Sequence, residues 1–546
     1  MQPPLGRYQE IADTLARHGL GFLGAQIGVT RWLPARYRTA PGSADEPANT
    51  AERVRLVLED LGPTFIKLGQ LLSTRPDLLP PAYISELSKL QDAAPPVPDE
   101  QIRETIRQEL GADPEDLFAS FEWTPMASAS IGQVHAATLA DGTSVVVKVR
   151  RPEVVRQVQE DLEILNNLAA RAARAWEPAR TYDVPGIARE FSETLRAELD
   201  YLREARNAER FAADFADRSD VVIPRVYWET TTSRVLTMER MTGIKVSDRE
   251  ALDAAGIDRR EVAVTGADIV LSMIFEHRFF HADLHPGNAF VRPDSVALID
   301  FGMVGEITEE LQDGLADVFI AAATRNSDGL ASAVINLSVA QGSVDRRALR
   351  AAMSSLFGEF SDRTLGEIHF TTLATDLLRV LREHHLQLPQ EVSLVVRALL
   401  VIEGVGVQLD PTFELNSVLT PFARRLIQRR LSLAAVTKRI GRASIDAGEL
   451  LLELPTRLRR LLEVMDHNGI EVHLRAAELD PLVGRAERIG NRLVAGIITA
   501  ALINGLGQVI ARDSRLRTWK GALTGTGIAT FTTLSGYLLW TARRRR

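Results

Sequence analysis

The sequence predicts an α+β fold of two lobes, followed by a helical hairpin in a membrane. Three observations carry that expectation. Short β-branched runs gather between Phe121 and Met238, the chain after Gly305 is helical in texture to about Met465, and two uncharged apolar stretches close the sequence. Strands first and helices second mark an α+β domain. A bilayer core takes roughly 20 apolar residues, which each closing stretch can supply.

Residues 1–50 read as an amphipathic helical lead-in and linker, because Ala40–Asn49 holds two Pro, a Gly and a Ser. From Ala51 to Leu90 apolar residues recur at helical spacing: Val54, Val57, Leu58 and Leu61, then Phe65, Ile66, Leu68, Leu71 and Leu72. Pro76, Pro80 and Pro81 punctuate this stretch, and the Pro-rich run Ala94–Pro98 follows it, so residues 51–120 form a helical extension. In the first lobe, residues 121–240, the pair Asp141-Gly142 signals a hairpin turn before Val145-Val-Val-Lys-Val149, a buried strand. Glu153–Phe215 is helical in composition, and Val221–Tyr227 and Arg234–Met238 read as strands. The second lobe, residues 241–465, is helical apart from Val296–Ile299. A linker, residues 466–490, leads to the hairpin at 491–546.

The chain has 546 residues, 45% of them hydrophobic and 25% charged, enough apolar material for a sizeable core. A net charge of -8 gives no basic excess for nucleic acid. The absence of cysteine excludes disulfides, thiolate metal sites and thiol nucleophiles. The stretch His18–Trp32 is too short and Gly-broken for a secretory signal, so the bulk of the chain is expected in the cytoplasm. In the tail, Leu493–Ala511 and Gly521–Ala542 carry no charge, with Trp519, Tyr537 and Trp540 near their ends. Arg543–Arg546 and the flank with Arg485, Arg488 and Arg492 favour a cytoplasmic face for both ends. The basic connector Arg512–Lys520 pulls the other way and leaves a re-entrant or surface-lying hairpin as the second arrangement.

Chemistry concentrates in two motifs, His281-Ala-Asp-Leu-His-Pro-Gly-Asn288 and Ile299-Asp-Phe-Gly302. Phosphoryl transfer needs oxygen ligands for metal ions and a carboxylate near the acceptor. Asp283 followed by Asn288 fits a catalytic loop, with the Asp near the acceptor and the Asn on a metal. Asp300, after a β-run and before Phe-Gly, fits the main metal ligand. Either carboxylate alone would be an ordinary turn residue; the ordered pair is the signal. His281 and His285 read as loop-orienting residues, since the Pro-Gly after His285 argues against a helical metal pair. Lys148 on its strand fits the cation that meets nucleotide phosphates and pairs with a helix Glu, sought within Glu198–Glu204.

As a set these residues resemble protein kinases, with departures that point to one family. The loop before the Lys strand, Met126-Ala-Ser-Ala-Ser-Ile-Gly-Gln-Val-His135, is rich in Ala where kinases carry Gly, and Ala282 stands where they carry Arg. Upstream lie Lys67-Leu-Gly-Gln70, Leu72-Ser-Thr-Arg-Pro-Asp-Leu-Leu-Pro80 and Leu90-Gln-Asp92. Together they resemble the UbiB-type atypical kinase-like family, tied to ubiquinone and other isoprenoid-lipid metabolism.

The resemblance implies a two-lobed kinase-like fold with an extra N-terminal helical hairpin over the active site, carrying Lys67 and Gln70. It implies that Ala127, Ser128, Ala129 and Ser130 form the nucleotide loop and that Lys148 and Glu204 are the lobe-spanning pair. Glu198 and Asp200 would hold Lys67. Glu239 and Met241, at the hinge, would meet the ATP base. Asp283, Asn288 and Asp300 would handle phosphate and Mg²⁺. The expected activity is ATP hydrolysis or phosphoryl transfer to a small or lipidic substrate at the inner membrane, beside membrane lipids or a lipid-biosynthesis complex. Two rivals are a nucleotide-gated membrane scaffold and a protein kinase. The filled metal and base positions disfavour the first; Ala282 and the Lys67 hairpin disfavour the second.

Overall fold

The computed structural model describes residues 5–21, 47–90, 94–340, 344–359 and 369–431. The expected linker, the tail hairpin, and Gln91 and Asp92 lie outside the described residues.

The first lobe is built on one sheet. Its strands are β1 (Ser120–Phe121), β2 (Ala127–Ser128), β3 (Gly132–Thr138) and β4 (Ser144–Arg150). After β5 (Val221–Val222), which belongs elsewhere, β6 (Val235–Glu239) completes it, in the order β1-β3-β4-β6 with β2 on β3. The β3–β4 hairpin closes at the expected turn, where Gly142 has a φ of 86°. Along β4 the side chains alternate. Val145, Val147 and Val149 are fully buried on one face, which leaves Lys148 on the other. Because β4 pairs on both sides, with Val134 and Leu236 opposite Lys148, the backbone under that lysine is fixed.

Two expectations need correction. Val221–Tyr227 is not one strand. Pro224 offers no N–H to a ladder, so only Val221–Val222 pairs, parallel to β10 of the second lobe, and Val226 makes a single bridge to Met238. The Ala-rich stretch before Lys148 is not all loop. Ala127–Ser128 and Gly132–Thr138 are strands, because the polar Gln133 and His135 are buried and bonded to each other at 3.0 Å. The helical segment Glu153–Phe215 resolves into Val154–Ala175, Glu177–Thr181, Val184–Glu198 and Tyr201–Asp214. Asp183 and Asp200 restart it, each accepting a backbone N–H at a helix start, from Gly186 and Leu202, both at 3.1 Å.

In the second lobe β7 (Ile244–Lys245), β9 (Ala289–Arg292) and β10 (Ser295–Leu298) join β5 in the order β5-β10-β9-β7. Beside them β8 (Phe279–His281) pairs with β11 (Val304–Glu306), His281 opposite Val304. That pairing brings the two motifs side by side, since β8 runs into Asp283 and β11 follows Asp300. A further short pair, β12 (Val339–Ala340) with β13 (Leu386–Gln387), interrupts the helices expected after Gly305. The helix Gln390–Leu409 is apolar and long enough to cross a membrane, yet about half of it is buried in the lobe. Its buried Glu403 accepts the N–H groups of Phe370 (2.9 Å) and Thr371 (2.6 Å), capping the neighbouring helix as a core element does.

The N-terminal helices pack as one cluster. The helix Leu5–Arg17 buries Tyr8, Ile11 and Leu15 with Val57, Leu58, Phe65 and Ile164, so the lead-in is docked. Arg7 meets the buried Asp161 at 2.8 Å. The helix Pro63–Ser73 is pinned beyond its C-terminus. Arg75 pairs with Asp77 at 2.9 Å and donates to the Leu388 carbonyl at 3.1 Å, while Asp77 accepts Leu388 N–H and Ser393 Oγ, both at 3.3 Å. Both side chains are buried, at 4% and 0% exposure. Removing one partner of such a pair strands a buried charge and costs about 3–5 kcal/mol. Asp77→Ala should therefore destabilise the protein by about that amount in denaturant melts. Glu153→Ala, which breaks the exposed Glu153–Arg156 pair, should leave the midpoint unmoved.

Candidate active site

Lys148 is the hub. Its Nζ donates to Glu204 Oε1 on the helix Tyr201–Asp214 and lies 3.6 Å from Asp300 Oδ1. Burial disfavours the lysine's charge, but Asp300 and Glu204 together outweigh it and hold its pKa above the ordinary lysine value. Burial, reinforced by Asp300, pushes Glu204 up against the pull of Lys148. Asp300 goes the other way. Lys148 first, against burial, then the Gly302 N–H at 3.2 Å and the field of Lys67 hold its carboxyl down at about 2.

The segment around Asp300 is gripped by the same helix. Glu204 Oε1 accepts Phe301 N–H at 3.3 Å, and Asn207 donates to the Phe301 carbonyl at 2.9 Å. The Phe301 ring is fully buried against Phe211 and His281, with centroids 5.4 and 5.9 Å away. Asp300 sits at a φ of +65°, a left-handed conformation that Asp tolerates better than most residues, and such conformations gather at active sites.

In the loop His281–Asn288, His281 has both ring nitrogens engaged, by Asp283 N–H (3.2 Å) and the Ile299 carbonyl (3.4 Å). His285 Nδ1 accepts Gly287 N–H at 3.1 Å. Both histidines bond within the loop, in keeping with the Pro-Gly after His285. Asn288 donates its amide nitrogen to the Asp283 carbonyl at 3.0 Å, which leaves the amide oxygen as its remaining donor atom. With the ionised, half-exposed Asp300 it forms a hard-oxygen set that fits Mg²⁺, the balance of ligands falling to phosphate oxygens and water.

The remaining residues take these places. Lys67 Nζ donates to Glu198 Oε1 at 2.7 Å. Asp200 uses a carboxylate oxygen to cap the Glu204 helix. Gln70 donates to the Leu90 carbonyl at 3.2 Å. Ala127 and Ser128 lie in β2, and Ala129 N–H closes the following turn onto the Gly132 carbonyl at 2.9 Å, around Ser130. Glu239 ends β6, and Met241 is buried where the chain passes to the second lobe.

Residues 89–334 match the ABC1 atypical kinase-like domain, and residues 353–414 the UbiB helical domain. A Xanthomonas campestris protein named as a UbiB protein kinase is 34% identical over 521 residues, 92% of this chain and 93% of its own. The chain belongs to the UbiB family. A Synechocystis protein is 38% identical over 460 residues, 83% of this chain and 78% of its own. The Arabidopsis thaliana chloroplast protein named Activity of BC1 Complex Kinase 7 is 33% identical over 88% of this chain and 70% of its own. Among solved structures, Rv3197 of Mycobacterium tuberculosis in complex with erythromycin is 26% identical with a TM-score of 0.47, covering 67% of this chain and 93% of that one.

The UbiB helical region adds a residue that sequence reasoning missed. Arg397, on the helix Gln390–Leu409, donates to Asp283 Oδ1 at 3.2 Å. No local signal marks it, for it lies 114 residues from its partner. Asn207 was findable, three positions after Glu204 on the same helix face. Beside the loop lies an apolar cavity of about 60 Å³, walled by Ile269, Leu284, Pro286, Ala289, Ile402 and Val405 among others, with His285 its only polar side chain.

Lys148 accounts for the low Asp300 titration. Replacing it with Met should bring Asp300 up to its ordinary 3.8 or above, followed by carboxyl NMR. In the wild type the depressed carboxyl favours the folded state above pH 3.8, and that contribution is lost as pH falls toward 2. In Lys148→Met that part of the acid sensitivity should vanish.

Proposed function

We propose that this UbiB-family chain binds Mg-ATP between its lobes and hydrolyses it, or passes the γ-phosphoryl group to a small or lipidic acceptor at a membrane surface. The observation that carries the reading is the convergence of Lys148, Glu204 and Asp300 beside Asp283 and Asn288, in kinase order along the chain. Mg²⁺ would neutralise charge that develops on the transferred group. Lys148, preset by Glu204, would meet the α- and β-phosphates. The Ala127–Ser130 loop would lie over the phosphates, and the Glu239–Met241 hinge against the base. Asp283 would orient the attacking oxygen and receive its proton.

In this reading the hairpin bearing Lys67 and Gln70 lies over the cleft, where a protein kinase admits its protein substrate. The proximity of Lys67 to Glu198, and its effect on Asp300, support that placement. The family's tie to isoprenoid lipids supports a lipidic, quinone-type acceptor or partner. The uncharged tail stretches support an anchor in the inner membrane, with the lobes in the cytoplasm.

The Arg397 contact favours a second reading, in which ATP binding gates a membrane scaffold, because Asp283 already has a cationic partner. ADP release with and without lipid vesicles separates the two. Enzymatic turnover should fall at least about a hundredfold in Asp300→Asn, the scale of losing one electrostatic stabiliser. Equal ADP release by wild type and Asp300→Asn would sink the enzyme reading.

Lys67→Ala should alter turnover or permit self-phosphorylation, seen by mass spectrometry, with the thermal midpoint nearly unmoved. A large midpoint loss at unchanged turnover would make Lys67 a structural residue only.

A further inference from the structure

A phosphate-binding loop works by presenting N–H groups; a carbonyl turned toward phosphate repels it. Kinases usually secure this with mobile glycines. Here alanine restricts the backbone, so something must choose which way each peptide faces. The choice is made from outside the loop. Ala94 N–H donates to the Ser128 carbonyl at 3.1 Å, and the backbone N–H of Arg151 to the Ile131 carbonyl at 2.8 Å. Between them, Arg151 Nε donates to the Ala129 carbonyl at 2.7 Å. The same guanidinium reaches Ser128 Oγ at 2.8 Å and the Pro95 carbonyl at 2.6 Å, tying the loop to the Pro-rich strap before the first lobe. Across a trans peptide the C=O and N–H point opposite ways. A guanidinium that holds the Ala129 carbonyl therefore aims the Ser130 N–H away from the strap.

We propose that Arg151 is the positioning residue of the phosphate loop: it faces the Ala129 carbonyl outward so that the Ser130 N–H faces the nucleotide phosphates. Arg151 directly follows the last residue of β4, three positions after Lys148, so one stretch of backbone sets both the phosphate cation and the phosphate loop. The inference rests on the nucleotide reading above. Lysine cannot replace arginine here, since a single ammonium cannot span Ala129 and Pro95 as the planar guanidinium does.

The test uses the full chain and compares Mg-ATP with adenosine, which lacks phosphates, by displacement of a fluorescent nucleotide. In Arg151→Ala, ATP affinity should fall about 10- to 100-fold, the scale of losing a charge-assisted hydrogen bond, with adenosine affinity unchanged. KM for ATP should rise more than kcat falls, and Arg151→Lys should recover only part of the loss. Equal weakening of ATP and adenosine, or of neither, overturns the proposal. If Arg151→Ala fails to fold, Arg151→Lys decides: ATP-selective weakening supports the role, and wild-type ATP binding overturns it. A wild-type chain that binds adenosine and ATP alike would sink the nucleotide reading itself, a separate outcome.

Discussion

The site depends on one ammonium group placed between two carboxylates. Lys148 sits on an interior strand that cannot slide, and it draws in Glu204 from a helix and Asp300 from the second lobe. Without the cation, the buried Glu204 would face the half-exposed Asp300 as a like charge. With it, the Glu204 helix can also hold both peptide groups of Phe301, through the Glu204 carboxylate and the Asn207 amide. The pose of Asp300 is thus a consequence of the lysine's charge, passed through one helix.

Two helical additions to the strand-bearing core, the N-terminal helices and the UbiB helical region, each send a cation to an acid. Lys67 comes from the N-terminal helices to Glu198, and Arg397 from the UbiB helical region to Asp283. The two additions are themselves joined, because Asp77 bonds to Leu388 and Ser393, and Arg382 donates to the Pro76 carbonyl. A cationic side chain from each addition therefore meets an acid near the cleft. Both additions are thereby coupled electrostatically to Glu198 and Asp283.

What could be read in the sequence was whatever chemistry lies in contiguous motifs. The order of Lys148, Asp283, Asn288 and Asp300, the Asp141-Gly142 hairpin and the β4 strand are all local signals, and the structure brings those side chains together. Reading failed where tertiary contacts override local pattern. Met126–His135 reads as loop, yet its last four residues lie in β3, where Gln133 and His135 are satisfied inside the sheet. Val221–Tyr227 looked like a strand, but Pro224 stops the ladder and the second lobe takes the first two residues. Arg397, Arg151 and Asp77 were invisible as site or core residues because their partners are set by folding rather than by spacing.

The buried Arg75–Asp77 knot also bears on how the chain is made. Beyond its neighbour Arg75, Asp77 bonds Leu388 and Ser393, separated from it by 311 and 316 residues. At the speed of synthesis, about 5–20 residues per second, those partners emerge roughly 15–60 s later. Within that interval the first-lobe sheet is completed, since its last strand ends at Glu239, while Asp77 still lacks its distal partners. Closure of this knot is therefore a late event in biogenesis, reached only after the whole first-lobe sheet has been synthesised.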